Sequence, residues 1–65
     1  MDDKVLELLA SKLEDRKRQL SEFLCEAGAK SFDEYKSLCG EIRGLATAQM
    51  EIKDLVRKLK ELDNE

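Results

Sequence analysis

The sequence predicts an all-α protein, an antiparallel αα-hairpin of two long helices that is completed by oligomerisation or by docking on a larger surface. Three observations carry this. The 65 residues contain no proline, and 42% of them are charged, a composition that suits helices and a single small domain. Apolar residues recur at three- and four-residue spacing in two blocks, the signature of helices buried along one side. Between the blocks lies one short break, "EAGAKS". A connection of about four residues returns the second helix antiparallel to the first.

The first helix is expected over about residues 2–27. Leu6, Leu13, Leu20 and Ala27 stand seven apart, and Leu9, Arg16 and Phe23 form the companion row, with Val5 and Leu24 on the same side. Arg16 sits where an apolar residue is expected. Two readings are open: its aliphatic stem crosses the seam while the guanidinium reaches water, or it pairs with a carboxylate on a partner and fixes register.

The turn, about residues 28–31, has its own chemistry. Gly28 suits the left-handed conformation that closes a helix, and Lys30 can face the last carbonyls. Ser31 followed by Glu34 is a capping box, and Asp33 places a further negative charge in the first turn of the next helix.

The second helix is expected over about residues 32–62. Its seam runs through Tyr35, Leu38, Ile42, Leu45, Gln49, Ile52, Val56 and Leu59, spaced alternately by three and four. Cys39, Ala46, Met50, Leu55 and Leu62 widen that stripe, so more than one neighbour is implied. Gln49 is the polar break; its amide either specifies register or leans outward. Folding the chain back sets Phe23 near Tyr35 and Leu38, Leu20 near Leu38, Leu13 near Leu45, Leu9 near Gln49 and Leu6 near Ile52. Arg16 then falls near Ile42 and Leu45 with no acidic seam residue opposite, and "LVRKLKELDNE" overshoots the first helix.

Gly40 and Gly44 stand one turn apart inside this helix, where each costs roughly 1 kcal/mol relative to alanine. With Thr47, and Ala48 at the border, they form a smooth strip nearly opposite the seam, and Arg43, Glu41 and Glu51 can supply a polar rim. Small residues four apart permit close backbone approach. A second contact surface and a solvated face that tolerates two glycines are both open readings.

Function is narrowed mainly by what is missing. There is no histidine, and neither Cys25 nor Cys39 has a base placed beside it by spacing. Their spacing is not a recurring metal-ligand pattern, so both are read as free thiols of a reducing compartment. Asp2 with Asp3, and Asp33 with Glu34, suit helix starts rather than acid–base chemistry. No enzyme, metal or cofactor is expected. The acidic start "MDDKVLELLASKL" sustains no apolar run, which argues against a signal peptide or a membrane span. The net charge is −3, and the basic clusters Arg16, Lys17, Arg18 and Arg57, Lys58, Lys60 are offset by Glu14, Asp15, Asp54 and Glu61. Glu14 to Arg18 and Asp54 to Lys58 have helix-stabilising spacing. Nucleic acid is therefore not the expected partner.

In length and layout the chain is similar to the Rop-like plasmid regulators, whose hairpins pair as four-helix dimers that bind RNA hairpins. More specifically, "DEYKSLCGEIRGLATAQMEIKDLVRKL", residues 33–59, resembles small tailed-phage proteins associated with the portal and head-to-tail genes of short-tailed phages. The resemblance lies in "EYK", in "GEIRGL" with both glycines, and in "DLVRKL". It implies a non-catalytic virion or assembly component in the host cytoplasm, partnered with itself or with a portal. The alternative it leaves is a homodimeric RNA-binding regulator using Lys12, Arg16, Arg43 or the C-terminal basic turn. A subunit of a larger coiled-coil assembly is a third reading.

Overall fold

A computed structural model describes residues 3–63 and is all-α: α1 spans Asp3–Glu26 and α2 spans Phe32–Asp63. Asp2, expected in the first turn of α1, lies outside the described residues. The helices pack against each other as a hairpin. Its extents are 52 × 16 × 13 Å, and its radius of gyration is 15.3 Å, against about 11 Å for a compact domain of this length. A two-helix layer has this shape because each helix has only one neighbour against which to bury a face.

The helix ends follow from local chemistry. The N–H groups of Ala27 and Gly28 both donate to the Phe23 carbonyl, at 2.9 and 3.1 Å. Gly28 then takes φ +73°, a backbone state that a side chain disfavours by about 1–2 kcal/mol. Ala27, expected as the last helical residue, lies in the turn. At the start of α2 the Glu34 N–H donates to Ser31 Oγ at 3.1 Å and the Tyr35 N–H to the Ser31 carbonyl at 3.0 Å. Such a serine cap is worth about 1 kcal/mol. Phe32 stacks on Tyr35 with ring centroids 6.5 Å apart, and the Lys36 ammonium lies 5.6 Å from the Phe32 centroid.

Register is fixed by contacts between the helices. Gln49 reaches the Ala10 carbonyl and Arg16 reaches Glu41, so α2 runs back along α1 at a nearly constant register. The start of α1 then stands level with about position 56. With 24 residues in α1 and 32 in α2, about two turns at the end of α2 run past α1.

Burial is shallow. Among the described residues only Leu6, at 8% exposure, and Leu20, at 6%, are buried apolar side chains. On α2 the residues Leu38, Ile42, Leu45, Gln49, Ile52, Val56 and Leu59 are all half-buried, while Tyr35 is exposed. On α1 the companion row differs from expectation. Ala10, Lys17 and Leu24 are half-buried beside Leu6, Leu13 and Leu20, whereas Leu9 remains 44% and Phe23 43% exposed. Ala27 and Arg16 are exposed as well. The helix is turned so that Lys17, not Arg16, supplies the polar position facing α2, because a long aliphatic stem can cover the seam while its ammonium finds polar partners at the edge.

Candidate functional site

The polar position is a three-residue cluster at the edge of the seam. Lys17 Nζ donates to Gln49 Oε1 at 3.0 Å, Gln49 Nε2 donates to Glu14 Oε2 at 2.7 Å, and Lys17 Nζ lies 3.2 Å from Glu14 Oε2. Gln49 Nε2 also lies 3.5 Å from the Ala10 carbonyl oxygen. Both ends of the amide are thereby engaged from α1. Of the two readings open for Gln49, register specification is the one this geometry supports, since sliding either helix by a turn takes Gln49 out of reach of the Ala10 carbonyl or of Lys17.

The Gln49 amide, and after it the Lys17 ammonium, hold the Glu14 carboxyl below the usual carboxylate range. A carboxyl depressed on folding adds stability that is complete above its unfolded value and is lost as pH falls through the lower native value. The hairpin is therefore expected to lose helical stability as pH drops below about 4. Glu14→Gln should flatten that part of a pH–melting curve measured by circular dichroism. An unchanged curve would remove the cluster as its source.

A second ion pair crosses between the helices on one side only. Arg16 Nη2 donates to Glu41 Oε2 at 3.2 Å, with both side chains about half exposed. Arg16 thus finds an acidic partner within the chain, where the seam residues alone offered none. At 100° per residue, this pair places Val5, Leu9, Arg16 and Phe23 of α1 on the same side as Glu41, Ala48, Leu55 and Leu62 of α2. Val5 is 61% and Leu55 43% exposed there, and Leu62 is exposed as well. The opposite side carries Glu14, and an open groove lined by Glu7, Ala10, Ile52, Lys53 and Val56. The Arg16 side thus combines a row of exposed apolar side chains with the Arg16–Glu41 pair and the exposed Lys12.

The glycine strip lies elsewhere. Gly40, Gly44, Thr47 and Arg43 are exposed on the outer surface of α2, and Ala48 is half-buried at its border. A Cβ built on Gly40 or Gly44 meets nothing within 4 Å, so no close approach within the hairpin requires either glycine. The Thr47 hydroxyl donates to the Arg43 carbonyl at 3.0 Å, which turns it toward its own helix. Glu41, expected at the rim of the strip, is drawn toward Arg16 instead.

Within the basic clusters, Lys17, Arg18, Arg57 and Lys58 are paired along their own helices. Arg18 bonds Asp15, where Glu14 was the expected partner, and Glu14 takes Lys17 instead. Asp54 holds both Arg57 and Lys58, and Arg57 also reaches Glu61. The Arg57 guanidinium, and after it Lys58, keep the Asp54 carboxyl below its usual range. Both cysteines are free thiols, Cys25 exposed and Cys39 half-buried one turn after Tyr35.

Among the described residues no three His, Cys, Asp or Glu side chains gather to hold a metal ion, and no helix is long and apolar enough to cross a membrane. No protein family, curated protein or solved structure matches the chain.

Proposed function

We propose that the protein is a non-catalytic assembly component that acts by helix packing, with the Arg16 side of the hairpin as its contact surface. One observation carries this reading: Val5, Leu9, Phe23 and Leu55 are exposed on a single side of a hairpin in which only Leu6 and Leu20 are buried among the described apolar residues. Apolar side chains aligned on one face mark an interaction site more often than singly scattered ones do. The finer form of the reading is a portal-associated phage protein working in the host cytoplasm during particle assembly. It draws its support from the resemblance over residues 33–59. In a symmetric ring, a hairpin must offer faces to more than one neighbour, and the outer strip of Gly40, Gly44 and Thr47 would supply the second face.

The RNA-binding alternative has less support. Of the cations it would use, Arg16, Arg57 and Lys58 already sit against carboxylates, and phosphate binding there would require those pairs to open. The reading is tested by a photo-crosslinking phenylalanine analogue at Phe23 in producing cells. A discrete covalent adduct, lost when Leu9 and Leu55 are replaced by glutamate, is the expected result. An absence of any adduct, with the chain present and helical, would overturn the packing reading.

A further inference from the structure

The packing reading leaves the partner open, and the inference drawn here rests on it. We infer that the Arg16 side is covered by a second copy of the same chain, with the two turns at the same end, so that two hairpins form a four-helix bundle about a two-fold axis running along their length.

The surface area of the hairpin calls for one more packed face. The chain exposes 5222 Å², whereas a compact folded monomer of 7.5 kDa exposes about 4,200 Å². The excess, about 1,000 Å², is close to the roughly 800 Å² per partner of a standard stable interface. One face-to-face contact along the hairpin is therefore enough to bring its surface to that of an ordinary small protein.

The charges on this side select the orientation. On this side α1 carries Arg16 and α2 carries Glu41, 3.2 Å apart. Rotation about a lengthwise axis lays α1 of one copy over α2 of the other at the same height. Arg16 then meets the partner's Glu41, and Glu41 meets the partner's Arg16, in a ring of four alternating charges. Rotation about a crosswise axis centred on the same pair puts the turns at opposite ends and lays α1 over α1. Arg16 then meets the partner's Arg16, a like-charge contact that opposes association.

The two turns of α2 that run past α1 favour the same orientation. A lengthwise axis brings both overhanging ends together. Leu55 and Leu62, exposed at this end, and the half-buried Leu59 then have apolar neighbours from the other copy. A crosswise axis would leave each overhang alone at opposite ends of the bundle.

The test uses the full chain and the charge-swapped variant R16E/E41R, which keeps an ion pair within the hairpin and so is expected to fold. Light scattering across a concentration series should give twice 7.5 kDa. Arg16→Glu alone should weaken the dimer about tenfold or more, and R16E/E41R should restore it. The decisive step is mixing. In an equimolar mixture of the swapped variant with nitrogen-15-labelled wild type, native mass spectrometry should find heterodimer below the random proportion. A lengthwise axis sets Arg16 of the wild-type chain against the arginine that E41R introduces in the other, and Glu41 against the glutamate that R16E introduces. Heterodimer above the random proportion would place like residues together and overturn the lengthwise arrangement. A helical chain that stays monomeric at every concentration overturns the second copy as occupant. If the Phe23 crosslinker then still captures a discrete foreign protein, the packing reading survives; if it captures nothing, both fail.

Discussion

Replacing Leu20 with alanine is expected to unfold most of the isolated hairpin. Leu20 is the more deeply covered of the two buried apolar side chains among the described residues, at 6% exposure, and truncating a buried leucine to alanine removes about 2–5 kcal/mol. A 65-residue chain has in total only about 3–10 kcal/mol to lose. Two packed helices offer little to refill the gap, since the next residues along the α1 seam, Lys17 and Leu24, are only half-buried themselves. Leu9→Ala, at a position 44% exposed, is expected to cost about 1 kcal/mol or less in the monomer, in line with the smaller area it takes out of water. Circular dichroism and urea titration, on chain diluted until its melting no longer depends on concentration, would check both. The opposite ranking, with Leu9→Ala the more damaging, would mean that α1 faces α2 with its Leu9, Arg16 and Phe23 row after all.

That contrast also shows why α1 is harder to read from sequence than α2. On α2, apolar residues at three- and four-residue spacing leave essentially one choice of buried face, and the row from Leu38 to Leu59 is half-buried as the pattern requires. On α1, Val5, Leu6, Leu8, Leu9, Leu13, Leu20, Phe23 and Leu24 cover a wide arc, and periodicity alone does not say which part of it turns inward. Choosing the largest side chains favours Leu9 and Phe23. The partner decides otherwise: Gln49 on α2 needs polar company at the edge of the seam, and Glu14, Lys17 and the Ala10 carbonyl provide it only if α1 is turned toward the Ala10 row. Among the large side chains that α1 leaves outside, Val5, Leu9 and Phe23 belong to the Arg16 side. The turn, by contrast, is fully local. Gly28 and Ser31 act within a few residues of chain, so their roles are legible without knowing the packing. The Arg16–Glu41 pair is not, because it joins two flanking positions whose proximity depends on how both helices are rotated.

Substituting alanine for both Gly40 and Gly44 is expected to stabilise the hairpin by about 2 kcal/mol, since each glycine in a helix interior gives up about 1 kcal/mol relative to alanine. In a domain of this size that corresponds to a rise in melting temperature of about 8–16 °C, readable by circular dichroism. The direction follows from the space around the two positions: a Cβ at either meets nothing within 4 Å, so no strain offsets the gain. Gly28→Ala serves as the internal control and should act the other way. It too has open space, but its φ of +73° makes any side chain unfavourable. The pair also separates two explanations of the outer strip. If Gly40 and Gly44 lie on a solvated face, the stabilised double variant assembles as well as wild type. If a neighbouring chain approaches the backbone there, the variant will be more stable alone and weaker in assembly, the trade expected where a contact surface holds residues that the isolated fold would replace. Gly44→Leu enlarges the same difference, because its longer side chain would hold an approaching helix farther off while leaving the hairpin helical. Unchanged assembly in both variants would assign the whole interaction to the Arg16 side.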